Sequence, residues 1–367
     1  MNCVQWLSDV DLKGLDKKKP QTEYKIQYMK EYVKLWLFVS ENRENIKNIN
    51  FIDCMCNAGI YGDGDLCTAM EVLKLYVCDA KYHRNITFHL YLNDHDENRI
   101  ENTKKIVDKI LEGNNQKNIC IHYNTDDVNT YICDYNLFDP SLKFDASTIL
   151  FVDPYSFGVV KLNLLRDFIR KYYCEVSFNV FTSDFVRNGP DDRIKDCLGT
   201  NKKFVSTDEI VDYVTSKLKV GKMQYAFPYR FKTSNNVELY QILFLTPNIR
   251  GLEKLKEALR TVFKGMEYYR NPPKNQQQLS LFSAEDKEDV ILDNCAVEAR
   301  EKVLTNFSGK TVSYSELEAF IIEKTILQKS NIIDYILTPL IEDKKIEKCN
   351  KTERKNNYTK DDYTFLC

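Results

Sequence analysis

The sequence predicts an α/β fold, a doubly wound and mostly parallel sheet, followed by a small second domain. Three observations carry this. Short apolar strands alternate with amphipathic helices across residues 48–181. Two more strands, joined by TSNNV, end that run as an antiparallel hairpin. A polar stretch with Pro-Pro and a glutamine run then precedes a separate helical pattern.

Residues 1–20 are polar and Lys-rich and read as an N-terminal tail. A helix is expected from Thr22 to about Asn45, with Ile26, Tyr32, Val33, Leu35, Trp36 and Val39 as its apolar face. NINFIDCM (48–55) reads as a buried strand and NAGIYGDGD as a Gly-bearing loop. A helix over 66–80, a strand over 88–94, a helix from Glu97 to Leu111 and a strand over 119–124 follow. STILFVDPY (147–155) is a fourth strand, then come a helix near 161–172 and a fifth strand over 174–181. The hairpin pairs 223–231 with 238–247, and a helix runs on to about Met266. Five alternating strands plus a terminal hairpin match a doubly wound methyltransferase-type sheet better than a dehydrogenase sheet. The methyltransferase-like domain is assigned to 21–267, a linker to 268–293 and a winged-helix-like domain to 294–367. The last rests on helical patterns at 294–305, 313–324 and 329–342, followed by a basic hairpin ending in YTF.

The chain has 367 residues, 52 Lys+Arg against 54 Asp+Glu, and a formal charge of −2. That balance excludes a polycation or an acidic tail protein but leaves room for a local basic patch. All 4 histidines lie between His83 and His122, and no second Cys pair accompanies the C-x-C of Cys54 and Cys56, so no metal site is expected. Most cysteines sit in apolar runs (Cys78, Cys120, Cys174), as buried small hydrophobes do. The N-terminus lacks a secretory pattern and no apolar run reaches the ~20 residues of a membrane span. The chain therefore reads as cytoplasmic, with reduced thiols and no membrane partner.

Ligands of open α/β sheets bind outside the carboxyl ends of the strands. The first strand ends in Asp53, and its loop carries Asn57, Ala58, Gly59, Gly62 and Gly64. The second ends in Asn93-Asp94, where a carboxylate can accept both hydroxyls of an adenosine ribose. Asp126 and Asp127 follow the third strand, placed to accept from a purine amino group. Asp153-Pro154-Tyr155 ends the fourth. There a carboxylate and a rigid Pro carbonyl can both accept from an attacking amino group, and the aromatic can stack on its base. The alternatives are a nucleoside-type cofactor site with this catalytic motif, or acidic residues that merely cap helices.

FIDCMCNAGIYGDG, LNDHD, the Asp-rich segment, FVDPYSFG and SFNVFTSDFVRN together resemble the three-Cys-motif partner protein family (TcmP) over about residues 22–266. The resemblance implies a class I S-adenosylmethionine methyltransferase-like (Rossmann-like) fold and a radical-SAM-like three-Cys-motif partner. It implies cofactor contacts at Asp53 and Gly59, a ribose carboxylate at Asp94, and catalytic residues Asp153, Pro154 and Tyr155. Asn179, Asp184 and Arg187 match the family's polar set after strand five, which suggests substrate binding by Asp184 and Arg187. Met55-Cys56-Asn57-Ala58-Gly59 stands where the family has Phe-Ala-Gly-Pro-Gly, and Cys67-Thr68 where it has Ser-Pro.

The linker contains Gln278-Leu279-Ser280-Leu281-Phe282, which resembles the pentapeptide by which bacterial replication and repair proteins dock on the sliding clamp. Leu281 and Phe282 would anchor in a groove, with Gln278 as a hydrogen-bonding end and Leu279 also in the clamp-binding set. Residues 344–360 carry seven Lys/Arg and two Asp/Glu, suited to phosphates on a wing. The expected function is S-adenosylmethionine-dependent methylation of nucleic acid, with DNA favoured and an exocyclic amino group as acceptor, in a DNA repair, replication-linked or defence setting. Asp53, Asn57, Gly59, Asp94 and Asp126 would hold the cofactor. The alternative is a non-catalytic partner protein of the same fold that binds DNA or the clamp. Neither G-x-x-x-x-G-K-[ST] nor G-x-G-x-x-G is present, which argues against a nucleotide hydrolase or dehydrogenase.

Overall fold

The computed structural model describes residues 13–78, 86–112, 118–143, 145–189, 192–232, 237–264, 268–270, 284–349 and 358–366. The central strand β1 (Asn48–Asp53) is buried from Ile49 onward, because its neighbours and the helices on both faces cover it. With β2 (Thr87–Asn93), β3 (Ile119–Asn124), β4 (Ala146–Val152), β5 (Glu175–Val180), β6 (Tyr225–Lys232), β7 (Glu238–Thr246) and the two-residue β8 (Tyr268–Tyr269) it forms one sheet, ordered β3-β2-β1-β4-β5-β7-β6-β8. Strands β1 to β5 are mutually parallel, and β7 runs antiparallel to both β5 and β6. The order reverses between β1 and β4, which opens a crevice at their carboxyl ends.

Helix α1 (Pro20–Glu41) begins two residues before the expected Thr22, because Pro20 suits the first turn, where its missing N–H is no loss. It runs along β5 and β4. Tyr28 Oη lies 2.6 Å from Ser177 Oγ, Tyr32 donates to Glu175, and Ser40 Oγ lies 2.8 Å from Ser147 Oγ. Helices α2 (Thr68–Cys78) and α3 (Glu97–Leu111) follow β1 and β2. On the opposite face lie α4 (Val128–Cys133), α5 (Tyr135–Leu142), α6 (Leu162–Lys171), α7 (Thr182–Asn188), α8 (Asp192–Leu198) and α9 (Thr207–Leu218). They bury Ile52, Leu150, Val152, Val176, Phe178 and Leu243. Five of these six, all but α6, went unpredicted. Helices α4, α5, α7 and α8 are short and polar-interrupted, while α9 is longer than α6. Asp134 separates α4 from α5 by capping the latter. Of the cysteines expected to be buried, Cys174 is, Cys120 is half-buried and Cys78 is exposed at the end of α2.

The chain divides into two compact units, residues 1–248 with 268–271, and residues 249–267 with 272–367. Helix α10 (Ile249–Phe263) thus groups with the second unit, whereas the sequence division ends the first domain at 267. The reason is visible at Lys256, whose buried ammonium donates to Leu327 O at 2.7 Å and Ile321 O at 3.3 Å. The stretch read as a 268–293 linker is also partly ordered. Tyr268–Tyr269 pair with β6, and a helix spans Ala284–Phe307. The second unit continues with a helix over Tyr314–Lys324, started by a Ser313–Glu316 capping box, and a three-stranded antiparallel sheet of Thr311–Ser313, Ile346–Lys348 and Asp362–Phe365. The helix expected over 329–342 is instead a 3₁₀ turn (Lys329–Asn331), a π turn (Ile333–Leu337) and a short α-helix (Thr338–Glu342). Pro339 lacks an amide donor and crowds the preceding turn, which widens the backbone just before it.

Candidate functional site

Strand β1 delivers Asp53 to the crevice, 2% exposed, its Oδ1 accepting from Met55 N at 3.1 Å. Burial pushes its carboxyl up to about 8; the Met55 amide opposes this, Asp153 and Asp94 add to it, and Lys25 opposes it. The chain then turns through Asn57 at φ +56° and Gly59 at φ +76°. A Cβ on Gly59 would sit 3.2 Å from Thr103 Cα, so the loop lies directly against α3. Asn102 Nδ2 donates to Ala58 O at 2.8 Å and Thr103 Oγ1 to Asn57 O at 3.1 Å. Gly62 N donates to Asp16 O at 2.9 Å, and Lys18 Nζ lies 2.5 Å from Asp65 Oδ2, so the segment before α1 lies along the loop.

Asp94, after β2, is 3% exposed. Its Oδ2 accepts from Asn57 N and its Oδ1 from Asp96 N, both at 3.1 Å. The glycine loop therefore orients this carboxylate, which also faces Arg99 Nη1 at 3.6 Å from Oδ2 and His95 Nδ1 at 3.4 Å from Oδ1. The preceding Asn93 ties three strand ends together. Its Nδ2 donates to Cys54 O and Asp126 O at 3.0 Å, and its Oδ1 accepts from Asp126 N at 3.1 Å. Asp126 is thereby fixed by its backbone, while its carboxylate makes no hydrogen bond among the described residues. Asp127, expected beside it as an acceptor, instead caps α4 through Asn129 N at 2.9 Å.

Beyond β4, Asp153 is held by a residue that the sequence reading did not single out. Lys25 Nζ of α1 lies 2.7 Å from Oδ1 and 2.6 Å from Oδ2, and Asn179 Nδ2 donates to Oδ1 at 2.9 Å. Lys25 also lies 5.4 Å from the centroid of the Tyr240 ring. Two buried atoms around this pair, Asn179 Oδ1 and Tyr240 Oη, have no partner among the described residues. Pro154 is buried. Tyr155 points outward, 71% exposed, its ring 6.1 Å from that of His95. Asp184 and Arg187 lie on α7 and pair with each other at 2.6 Å. Gln278, Leu279, Leu281 and Phe282 lie outside the described residues. Lys25 had one signal in the sequence, as a cation on the stripe of Tyr28 and Tyr32. Asn93 was visible only as the polar residue before Asp94 and Tyr240 had no signal, since their roles arise between elements far apart in sequence.

The donor set fits a nucleoside group. The Asp126 carboxylate is free to accept from an amino group, Asp94 stands beside a loop that brings backbone close, and orphaned acceptor and hydroxyl groups flank Lys25. Among the described residues, no group of three or more His, Cys, Asp or Glu could hold a metal ion, and no helix is long and apolar enough to cross a membrane.

The strand order and antiparallel β7 fit a Rossmann-like methyltransferase fold. Among solved structures, the chain is similar to a Legionella pneumophila protein of family DUF519, at 10% identity over 65% of this chain and 92% of that one, with a TM-score of 0.38. It is also similar to a Listeria monocytogenes protein described as a putative class I S-adenosylmethionine-dependent methyltransferase, at 11% identity over 59% and 60% of the two chains, with a TM-score of 0.29. No family model and no curated protein matches the chain.

Proposed function

We propose that this protein is an S-adenosylmethionine-dependent methyltransferase acting on an exocyclic amino group of nucleic acid, with DNA favoured. The observation that carries the reading is the Asn93 clamp, which joins the ends of β1, β2 and β3 and leaves the Asp126 carboxylate unpaired beside Asp94. When bound, the cofactor would supply an electrophilic methyl group. Asp94 would accept from its ribose hydroxyls and Asp126 from its adenine amino group, with Asn57 and Gly59 shaping the loop beneath. Asp153 would accept a hydrogen of the attacking amine, oriented by Lys25 and Asn179, while the outward Tyr155 would stack on the base. Most of the acceleration would come from alignment of nucleophile and methyl. Transfer of tritiated methyl from S-adenosylmethionine to single- and double-stranded DNA and RNA tests this. Incorporation lost in Asp153→Asn is the expected result, and no incorporation into any nucleic acid overturns it.

One observation favours the second reading, a non-catalytic partner of the same fold. Lys25 already occupies both oxygens of the carboxylate that would receive the amine. Cofactor binding without transfer would support this reading. The resemblance to the three-Cys-motif partner family (TcmP) supports a radical-SAM-like partner and a DNA maintenance or defence role in the cytoplasm. The pentapeptide at 278–282 supports sliding-clamp docking, testable by titrating a 276–284 peptide against the clamp. The helices and three-stranded sheet of the second unit, with the basic 344–360 segment, support a winged-helix-like DNA contact.

A further inference from the structure

A groove of about 570 Å³ opens between α6, α8 and α9, on the face of the sheet opposite α1. The strand-end residues do not line it. Its walls carry Lys161, Arg166, Lys195 and Lys217 against Asp192 and Asp196, a basic excess on a chain whose total charge is −2. Lys161 pairs with Asp196 at 3.0 Å, and Arg166 with Asp167 just outside the groove at 3.3 Å. Lys195 has no ion-pair or hydrogen-bond partner among the described residues. Among the described residues, Lys217 has only the Tyr213 ring, 5.3 Å from its Nζ, and Tyr213 also lines the groove. An aromatic ring beside unpaired ammonium groups is the combination that holds single-stranded nucleic acid, with bases on the ring and phosphates on the cations.

The groove is also anchored to the strand-end site. Lys161 N donates to Asn129 Oδ1 at 2.8 Å, and Asn129 Nδ2 donates to Val159 O at 2.9 Å. Asn129 lies three residues after Asp126, and Lys161 eight after Asp153. One end of the groove thus begins where the β3 and β4 loops meet. We propose that this groove carries the phosphate backbone of a single nucleic-acid strand, leading one of its bases to the crevice. The inference rests on the nucleic-acid substrate of the proposed function and adds the path by which that substrate is held.

Fluorescence anisotropy of a labelled single-stranded oligonucleotide on the full-length protein tests it, without cofactor. The Lys195→Gln/Lys217→Gln variant removes two exposed cations that make no ion pair, and Lys34→Gln on α1 serves as control. The expected result is about tenfold weaker binding in the double variant, and a salt dependence of log K shallower by about 1.4, with the control unchanged. Equal binding by wild type and double variant overturns the groove while leaving the nucleic-acid reading intact. No binding of any oligonucleotide by the wild type overturns that reading and the groove together. Pyrophosphate or polyglutamate bound in the groove as tightly as the oligonucleotide would assign it to a small phosphate compound or an acidic peptide, and so overturns the strand path.

Discussion

Lys25 and Asp153, 128 residues apart, form a forked ion pair in which one ammonium lies within 2.7 Å of both carboxylate oxygens. Lys25 is 8% exposed, and its partner's side chain is 23% exposed, so the pair sits at the edge of the interior. The pair fixes α1 to the end of β4 and orients the carboxylate expected to receive a substrate amine. Removing one partner leaves the other charge partly buried and alone. Lys25→Met should therefore destabilise the fold by about 2 kcal/mol, an amount reduced from that of a fully buried pair by the solvent at Asp153. Urea unfolding checks this, and Lys25→Met/Asp153→Leu should recover much of the loss.

Asp53 should make the protein less stable in alkali. Its unfolded carboxyl releases a proton near 3.8 and its folded one near 8, so the folded state holds more protons across that window. Stability then falls as pH rises through the window. Asp53→Asn keeps an acceptor for Met55 N and does not titrate. Its melting temperature should decline less between pH 6 and pH 9 than that of the wild type, with a gain on the order of 1–2 kcal/mol at the alkaline end.

A histidine pair gives the opposite dependence in acid. His89 Nδ1 lies 3.1 Å from His122 Nε2, and His89 Nε2 lies 3.2 Å from Asn48 Oδ1. Burial lowers both rings, His89 from 6.5 to about 4 with its neighbour adding to the effect. A folded pKa below the unfolded one means stability that is present above pH 6.5 and lost as pH falls toward 4. His89→Asn/His122→Asn should flatten the change in melting temperature between pH 7 and pH 5.

Gly59 combines a φ of +76° with a 3.2 Å approach to Thr103 that a methyl group could occupy only if Thr103 shifted. Gly59→Ala should cost about 1–2 kcal/mol, since both the backbone conformation and Thr103 oppose it. The same change should weaken nucleoside binding more than Gly189→Ala. Gly189 is at φ +62° with open space around its Cβ position, so that variant bears backbone strain alone.

The parallel strands were legible because continuous apolar runs such as STILFVD have few other uses. Their order was not, because pairing depends on contacts between residues far apart. The glycine loop and Asp94 were readable as strand-end polarity. Asp127 was misread because an acidic residue after a strand serves equally as a cap, and only the Asn129 contact distinguishes the two. The π turn before Pro339 had its cause in the sequence, although helical periodicity ran through it. Lys25, Asn93 and Tyr240 were hidden for a different reason, since each acquires its role only when α1, β2 and β7 come together with other strands.

On the proposed function, the crevice beside Asn93 would receive a nucleoside cofactor through Asp94 and Asp126. Calorimetric titration of the full-length protein with S-adenosylhomocysteine tests it most directly. Asp126→Ala is the informative variant, because the wild-type carboxylate makes no hydrogen bond among the described residues whose loss would disturb the fold. The expected result is a dissociation constant below about 100 µM for the wild type, weakened about tenfold in Asp126→Ala by loss of one hydrogen bond. No measurable heat up to millimolar ligand, or equal affinity in the two proteins, would contradict it.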